Sequence, residues 1–384
     1  MRVGLDVALA DRARIAAWRA ARVGLLAHPA SVTRGLVHAL DALLALDVKP
    51  RVLFGPEHGY GGAAQDMASV VDAREPRSGA RIVSLYGESF ERLFPRADEL
   101  AEIDLLIIDL QDVGARYYTF VWTALLALRA CALAGVRVVL LDRPNPIDGV
   151  TIEGRAHEES RLRSFVGLEP VPIRHGRTLG EIVEQRAREE GIAEALDVVA
   201  VEGWERAAYA DAWDRPFVMP SPNMPTLETA IVYPGGCLIE ATKLSEGRGT
   251  TRPFEIVGAP WIDGHALAAS LQATGLPGFV ARPLSFEPMF QKHARKACGG
   301  VQLHVVDRGA FRPVATYLAL LCLARAQRPE AFELRSEPYE YVDPSEAPAL
   351  DLLCGTTSTR EALMAGESWR VVVATVCDPS AITR

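Results

Sequence analysis

Val52-Leu53-Phe54-Gly55-Pro56-Glu57-His58-Gly59-Tyr60-Gly61-Gly62 is the stretch on which the reading of this chain turns. Its first three residues are apolar and stop at a Gly-Pro turn, as a buried strand does where it leaves a sheet. The turn presents a carboxylate and an imidazole side by side. Four glycines, at 55, 59, 61 and 62, leave room for a ligand to approach the backbone. A Glu-His pair in such a place can move protons. The plainer reading is an exposed loop whose Glu caps a neighbouring helix.

The pattern repeats on both sides of that stretch. Val23–Ala27, Val52–Phe54, Ile82–Leu85, Leu105–Leu110 and Val136–Leu141 are aliphatic without polar alternation, as strands covered on both faces should be. Helical patterns such as Val37–Leu46 and Thr119–Ala134 separate them. Alternating strands and helices at this spacing predict an α/β fold with a parallel sheet and helices on both faces. The loops after the runs carry His28, Glu57-His58, Glu88, Gln111-Asp112, Arg116, Asp142-Arg143 and Asn145. In open α/β sheets ligands bind beyond the carboxyl ends of the strands, so these loops point to one rim. A capping role explains one polar residue per loop but not Arg, Glu and His together.

The alternation continues through a helix at Leu179–Glu190 and a strand run at Val198–Val201. It stops at Pro220-Ser221-Pro222-Asn223-Met224-Pro225, whose prolines forbid helix interior and central strand. This predicts a first domain over 1–225 and a second over 226–384. In the second, a strand run at Gly300–Val306 and helical patterns at Ala266–Leu271 and Val314–Arg325 suit an α+β unit.

With 384 residues, 49% hydrophobic and 23% charged, the chain has ample material for two cores. The net charge of −8 is interleaved, with no basic block, which argues against nucleic acid as a partner. The cysteines at 131, 237, 298, 322, 354 and 377 are scattered and read as buried thiols. No apolar run is long enough to span a membrane, and charges at Asp6, Asp11, Arg12 and Arg14 interrupt any secretory core, so the sequence as written reads as cytoplasmic. Neither GxGxxG nor GK[ST] is present, which disfavours a nucleotide, and no cofactor is expected.

A second polar segment, Gly235–Glu255, holds Glu240, Lys243, Ser245, Glu246, Arg248 and Arg252 between apolar flanks. It reads either as a solvated linker or as the source of a second carboxylate and a cation. Two carboxylates suit glycoside hydrolysis, one protonating the leaving oxygen and the other acting as base or nucleophile. Glu57 is the acid candidate, since Phe54, Pro56 and Tyr60 offer apolar surroundings that favour its neutral form. His58 either orients Glu57, binds substrate or is structural; His28 reads as structural. Glu246 and Asp112 compete for the second carboxylate, with Glu246 favoured because it comes from a different loop. A metal site of Glu57, His58, Asp112 and His175 lacks ligand spacing, and Ser221 or Ser245 lacks a nucleophile elbow.

In order, Leu53–Gly59, Gln111–Thr119, Leu141–Pro146, Arg174-His175-Gly176, Pro220–Pro225, Ser245–Thr250 and Gly258–Trp261 resemble the motifs of the NamZ family of exo-β-N-acetylmuramidases. The resemblance covers nearly the whole chain. It implies a Rossmann-like catalytic domain with a smaller α+β ancillary domain completing the cleft. It implies release of N-acetylmuramic acid from peptidoglycan-derived disaccharides or muropeptides, with Glu57 as the catalytic glutamate. Arg116, Tyr118, Asn145, His175, Asn223, Glu240 and Arg248 are then the expected substrate-binding residues. Arg116 and Arg248 are the candidates for the lactyl carboxylate, which a guanidinium binds bidentately. Ala241-Thr242-Lys243 departs from the family's Gly-Thr-Asn, which puts a sugar contact in question. Family members are often exported. The alternatives are a non-catalytic sugar-binding protein and a metal-dependent amidohydrolase.

Overall fold

The computed structural model describes residues 1–62, 73–157 and 159–378. Seven strands form one sheet: β1 (Val23–Ala27), β2 (Val52–Gly55), β3 (Ala73–Arg74), β4 (Arg81–Ser84), β5 (Leu105–Asp109), β6 (Arg137–Leu141) and β7 (Leu196–Val199). Their order is β3-β4-β2-β1-β5-β6-β7. All pairings are parallel except that of the two-residue edge strand β3. Leaving β3 aside, the parallel strands run in the doubly wound order 3-2-1-4-5-6, with the switch point between β1 and β5.

Burial on both faces follows from the uninterrupted aliphatic runs. Val23, Leu25, Ala27, Leu53, Leu105, Ile107, Val139 and Leu141 pack with Leu5, Ala8, Ile15, Trp18, Leu40 and Leu43 from helices on one face. The alternate residues Leu26, Phe54, Leu106, Ile108 and Leu140 are equally buried, as a strand's two-residue period requires. The helix Phe120–Ala134 is apolar almost all round, with ten buried residues, and ends at left-handed Gly135.

The second sheet has three antiparallel strands, β8 (Ile256–Ala259), β9 (Phe279–Phe286) and β10 (Cys298–Val305), in the order β8-β10-β9. The sequence hides β9 because Pro283 interrupts it. Proline is tolerated there because β9 is an edge strand, where one row of N–H groups has no partner to satisfy.

The chain divides into two compact units, one of Met1–Gly114, Tyr118–Val150 and Gly176–Pro225, the other of Ala115–Tyr117, Thr151–His175 and Thr226–Arg384. The second unit therefore also takes in 115–117 and 151–175 from the first 225 residues. The physical reason lies in the second unit's own contacts. Arg174 bridges to Ala115 and to Glu153. The Glu153 carboxylate accepts from the N–H groups of Val314 (3.2 Å) and Ala315 (2.9 Å). These open the helix Pro313–Gln327, whose N-cap Arg312 makes no side-chain cap. Glu153 thus satisfies orphan donors of a helix about 160 residues away in sequence.

All six cysteines are free and buried. No helix among the described residues is long and apolar enough to cross a membrane.

Two stability predictions follow from this packing. Asp109 and Arg143 form a bidentate pair at 2.5 and 2.8 Å, with both side chains at most 3% exposed. Asp109→Ala strands a buried guanidinium and should cost about 3–5 kcal/mol in denaturant titrations. Asp104→Ala breaks the exposed pair with Arg22 and should cost at most about 1 kcal/mol.

Burial pushes Glu153 up to about 7 from 4.5, against the two backbone donors that favour its charged form. The folded chain therefore holds a proton that the unfolded chain releases at lower pH. This contribution is complete below pH 4.5 and is lost as pH rises through about 7. Unfolding free energy should fall between those limits by up to about 1.4 kcal/mol per pH unit. Glu153→Gln, which cannot titrate, should flatten that slope; an unchanged slope would assign it to other groups.

Candidate active site

The switch point sets the first unit's site. The chain leaves β1 at His28 and β5 at Gln111, and the two loops meet through one ring. His28 Nε2 accepts from the Gln111 N–H at 3.0 Å, and Nδ1 donates to the Pro220 carbonyl at 3.1 Å. Both nitrogens are spent on backbone, and burial holds the ring neutral, its pKa lowered to about 3. His28 is structural, fastening three loops of the rim.

Glu57 follows β2 by two residues. Gly55 at the strand end has no room for a side chain, since a Cβ there would lie 2.1 Å from the Tyr60 nitrogen. The chain folds back on itself, with Gly59 N–H bonded to Pro56 O at 2.9 Å, and His58 takes a left-handed φ of 70°. Glu57 and His58 are both under 10% exposed. The Thr119 hydroxyl donates to Glu57 Oε2 at 2.9 Å. Thr119 stands at the N-cap of Phe120–Ala134 but does not cap it; its hydroxyl serves Glu57 instead. The Tyr60 ring packs edge-on against His38 at 5.6 Å.

Asp112 and Tyr118 complete this group. Asp112 Oδ2 accepts from Gly114 N–H at 2.6 Å. The Tyr118 phenol is buried and pushed well up, first by desolvation; nearby Ser221 opposes the rise, and the charges of Asp112 and Glu57 add to it. Glu57, Asp112, Tyr118, Thr119 and Ser221 therefore share one electrostatic neighbourhood. His58 lies close enough to His28 to depress its pKa.

Asn145 is brought to the rim but is occupied. Its Oδ1 accepts from Ile147 N–H (3.1 Å) and its Nδ2 donates to Arg177 O (3.0 Å). It shapes the loop after β6. Asn223 is buried within Pro220–Pro225.

The second unit gathers a separate charged cluster. Arg248 donates to Glu240 Oε1 at 2.6 Å and lies 3.5 Å from Glu246. Lys292 donates to Glu246 Oε2 at 2.8 Å, and Tyr339 to Glu240 Oε2 at 2.7 Å. Arg248 also lies over the Phe254 ring at 5.2 Å. Desolvation raises the Glu240 pKa, but Arg248 outweighs it and the net shift is downward. Lys243, the family departure, pairs with Glu337 at 2.5 Å.

Arg116 lies in the second unit. It is fully buried, and its guanidinium donates to the carbonyls of Arg155 (2.9 Å), Val171 (3.0 Å) and Leu353 (2.5 Å). Burial lowers its pKa to about 10. It braces backbone of the second unit, a role that the sequence did not show. His175 is buried in the same unit. Among the described residues no group of three or more His, Cys, Asp or Glu could hold a metal ion.

Sequence reasoning missed Thr119, Ser221, Lys292 and Tyr339 as partners of the named carboxylates and phenol. Thr119 closes the Gln111–Thr119 motif and so carried a signal. Lys292 and Tyr339 lie outside every motif.

Residues 23–228 match the N-terminal domain, and residues 231–380 the C-terminal domain, of exo-β-N-acetylmuramidase NamZ. The chain is 41% identical over 337 residues to the peptidoglycan β-N-acetylmuramidase NamZ of Bacillus subtilis, covering 88% of this chain and 80% of that protein. Two solved DUF1343 family proteins of Bacteroides fragilis have the same fold. One has a TM-score of 0.84 at 28% identity, covering 98% of this chain and 94% of that one. The other has a TM-score of 0.70 at 25% identity, covering 97% and 93%. Matched along nearly its whole length, the chain belongs to the NamZ family of exo-β-N-acetylmuramidases.

Proposed function

We propose that this protein is a glycosidase that releases N-acetylmuramic acid from the non-reducing ends of peptidoglycan fragments, with Glu57 as the general acid. Family membership supports the activity and the substrate class. The observation that carries the assignment of Glu57 is its hydrogen bond from Thr119. That bond fixes one carboxyl oxygen on a rigid turn at the strand end and gives proton delivery to the other. Cleavage passes through an oxocarbenium-like centre, which a second carboxylate stabilises or attacks. Asp112 is the better candidate for that role, since it shares Glu57's neighbourhood around Tyr118. Glu246, which the sequence favours, is committed to Lys292 and Arg248. In this reading Tyr118, His58 and Asn223 orient the sugar.

Glu57→Gln keeps the shape of the side chain but cannot give a proton. Turnover of a muramic acid–glucosamine disaccharide should fall about 10²–10⁴-fold. The loss on 4-nitrophenyl N-acetylmuraminide should be smaller, because nitrophenolate departs without protonation. Equal losses on the two substrates would move Glu57 from the leaving oxygen to the sugar carbon. A variant keeping more than about a tenth of wild-type kcat on the disaccharide would remove it from the chemistry.

Arg116→Ala should lower the melting temperature and leave unchanged the ratio of kcat/KM for muramic acid over N-acetylglucosamine substrates. A selective loss on the muramic acid substrate would restore Arg116 to carboxylate recognition.

A further inference from the structure

The segment 287–297, between β9 and β10, belongs to no motif, yet it is laid directly on the Ser245–Thr250 motif loop. Met289 N–H bonds to Gly249 O at 2.9 Å. A Cβ on Gly249, whose φ is +81°, would lie 2.7 Å from both the nitrogen and the oxygen of Phe290. Only glycine permits this contact. Two further ties hold the strap from its far side: Lys292 to Glu246, and His293 Nε2 to the Lys243 carbonyl at 2.8 Å. Around them the backbone takes left-handed φ values at Gln291 (65°), His293 (58°) and Arg295 (59°). Three such residues in five positions are costly and persist only where the surroundings over-determine them.

What this costly anchoring displays is apolar. Phe290 is 41% exposed and Met289 58% exposed, immediately beside the charged cluster of Arg248 and Glu246. Burying a phenyl ring stabilises a fold, so a strap selected for stability alone would turn it inward. An exposed apolar surface rimmed by polar groups marks a place where a ligand lands. A pyranose ring matches both parts. Its flat C–H face suits the phenyl ring, and its hydroxyl and acetamido edge suits carboxylates and cations.

We infer that the strap is a sugar subsite, in which Phe290 stacks against a hexosamine ring of the glycan and Lys292 anchors the platform to Glu246. This inference rests on the glycosidase reading, because that reading supplies the sugar. It adds a specificity-determining residue outside the motifs of the family.

The test measures binding apart from turnover. A thio-linked muramic acid–glucosamine disaccharide, which resists hydrolysis, is titrated calorimetrically into the full chain. Phe290→Ala should weaken binding about 10-fold, the loss of one aromatic contact. Phe290→Tyr and Phe290→Trp should stay within about 2-fold of wild type, because the ring face is kept. Phe290→Leu, which keeps apolar bulk and guards against a collapsed strap, should bind as weakly as the alanine variant. Wild-type affinity in Phe290→Ala, or full affinity in Phe290→Leu, would overturn the inference. Absence of wild-type turnover on the oxygen-linked disaccharide would instead overturn the glycosidase reading, and it is scored separately.

Discussion

The buried pair of Asp109 and Arg143 is the constraint on which the first unit's rim depends. Asp109 ends β5 and Arg143 follows β6, so their bidentate contact locks the carboxyl ends of two adjacent strands. The same guanidinium donates to Val32 O in the loop after β1, and Arg215 donates to that carbonyl too. Two charges removed from water are worth keeping only where geometry satisfies both. Here the satisfied geometry fixes where three loops leave the sheet.

From that fixed frame Glu57, the proposed acid, gains its precision. His28, neutral and bonded on both nitrogens, ties the β1 loop to Gln111 and to Pro220. Gly55 lets the β2 loop fold tightly enough to bring Glu57 to Thr119 at the start of the long apolar helix. None of these supporting residues touches the scissile bond in the proposed reaction. Together they hold the Glu57 carboxyl to a narrow range of positions, as acid catalysis of the proposed kind requires.

The second unit solves a different problem with similar means. Its charges are internally balanced: Glu240 and Glu246 face Arg248 and Lys292, with Tyr339 closing the remaining oxygen. Glu153 caps a helix remote in sequence, and Arg116 spends its donors on three carbonyls. Motif membership alone could not separate these roles. Arg116 and Arg248 both look like anion receptors in the sequence, and one of them is a brace.

Much of the fold was legible because its signals are local. Uninterrupted aliphatic runs specify strands covered on both faces, and β1 occupies the run Val23–Ala27 read from the sequence. The glycine-rich turn after β2 and the proline segment 220–225 also announce themselves through backbone chemistry. Edge strand β9 did not, because Pro283 is a strand breaker everywhere except where the sheet leaves its N–H side unpaired. Among the proposed site residues, Glu57, Asp112 and Tyr118 were identifiable from motif and strand end alone. The chain's local pattern by itself determined the sheet, its rim and the family. Only the tertiary structure decided which polar side chains are already spent. Hydrogen-bond partners such as Thr119, Lys292 and Leu353 O come from tens to hundreds of residues away, and satisfaction of a buried donor is a property of the folded neighbourhood and not of the sequence around it.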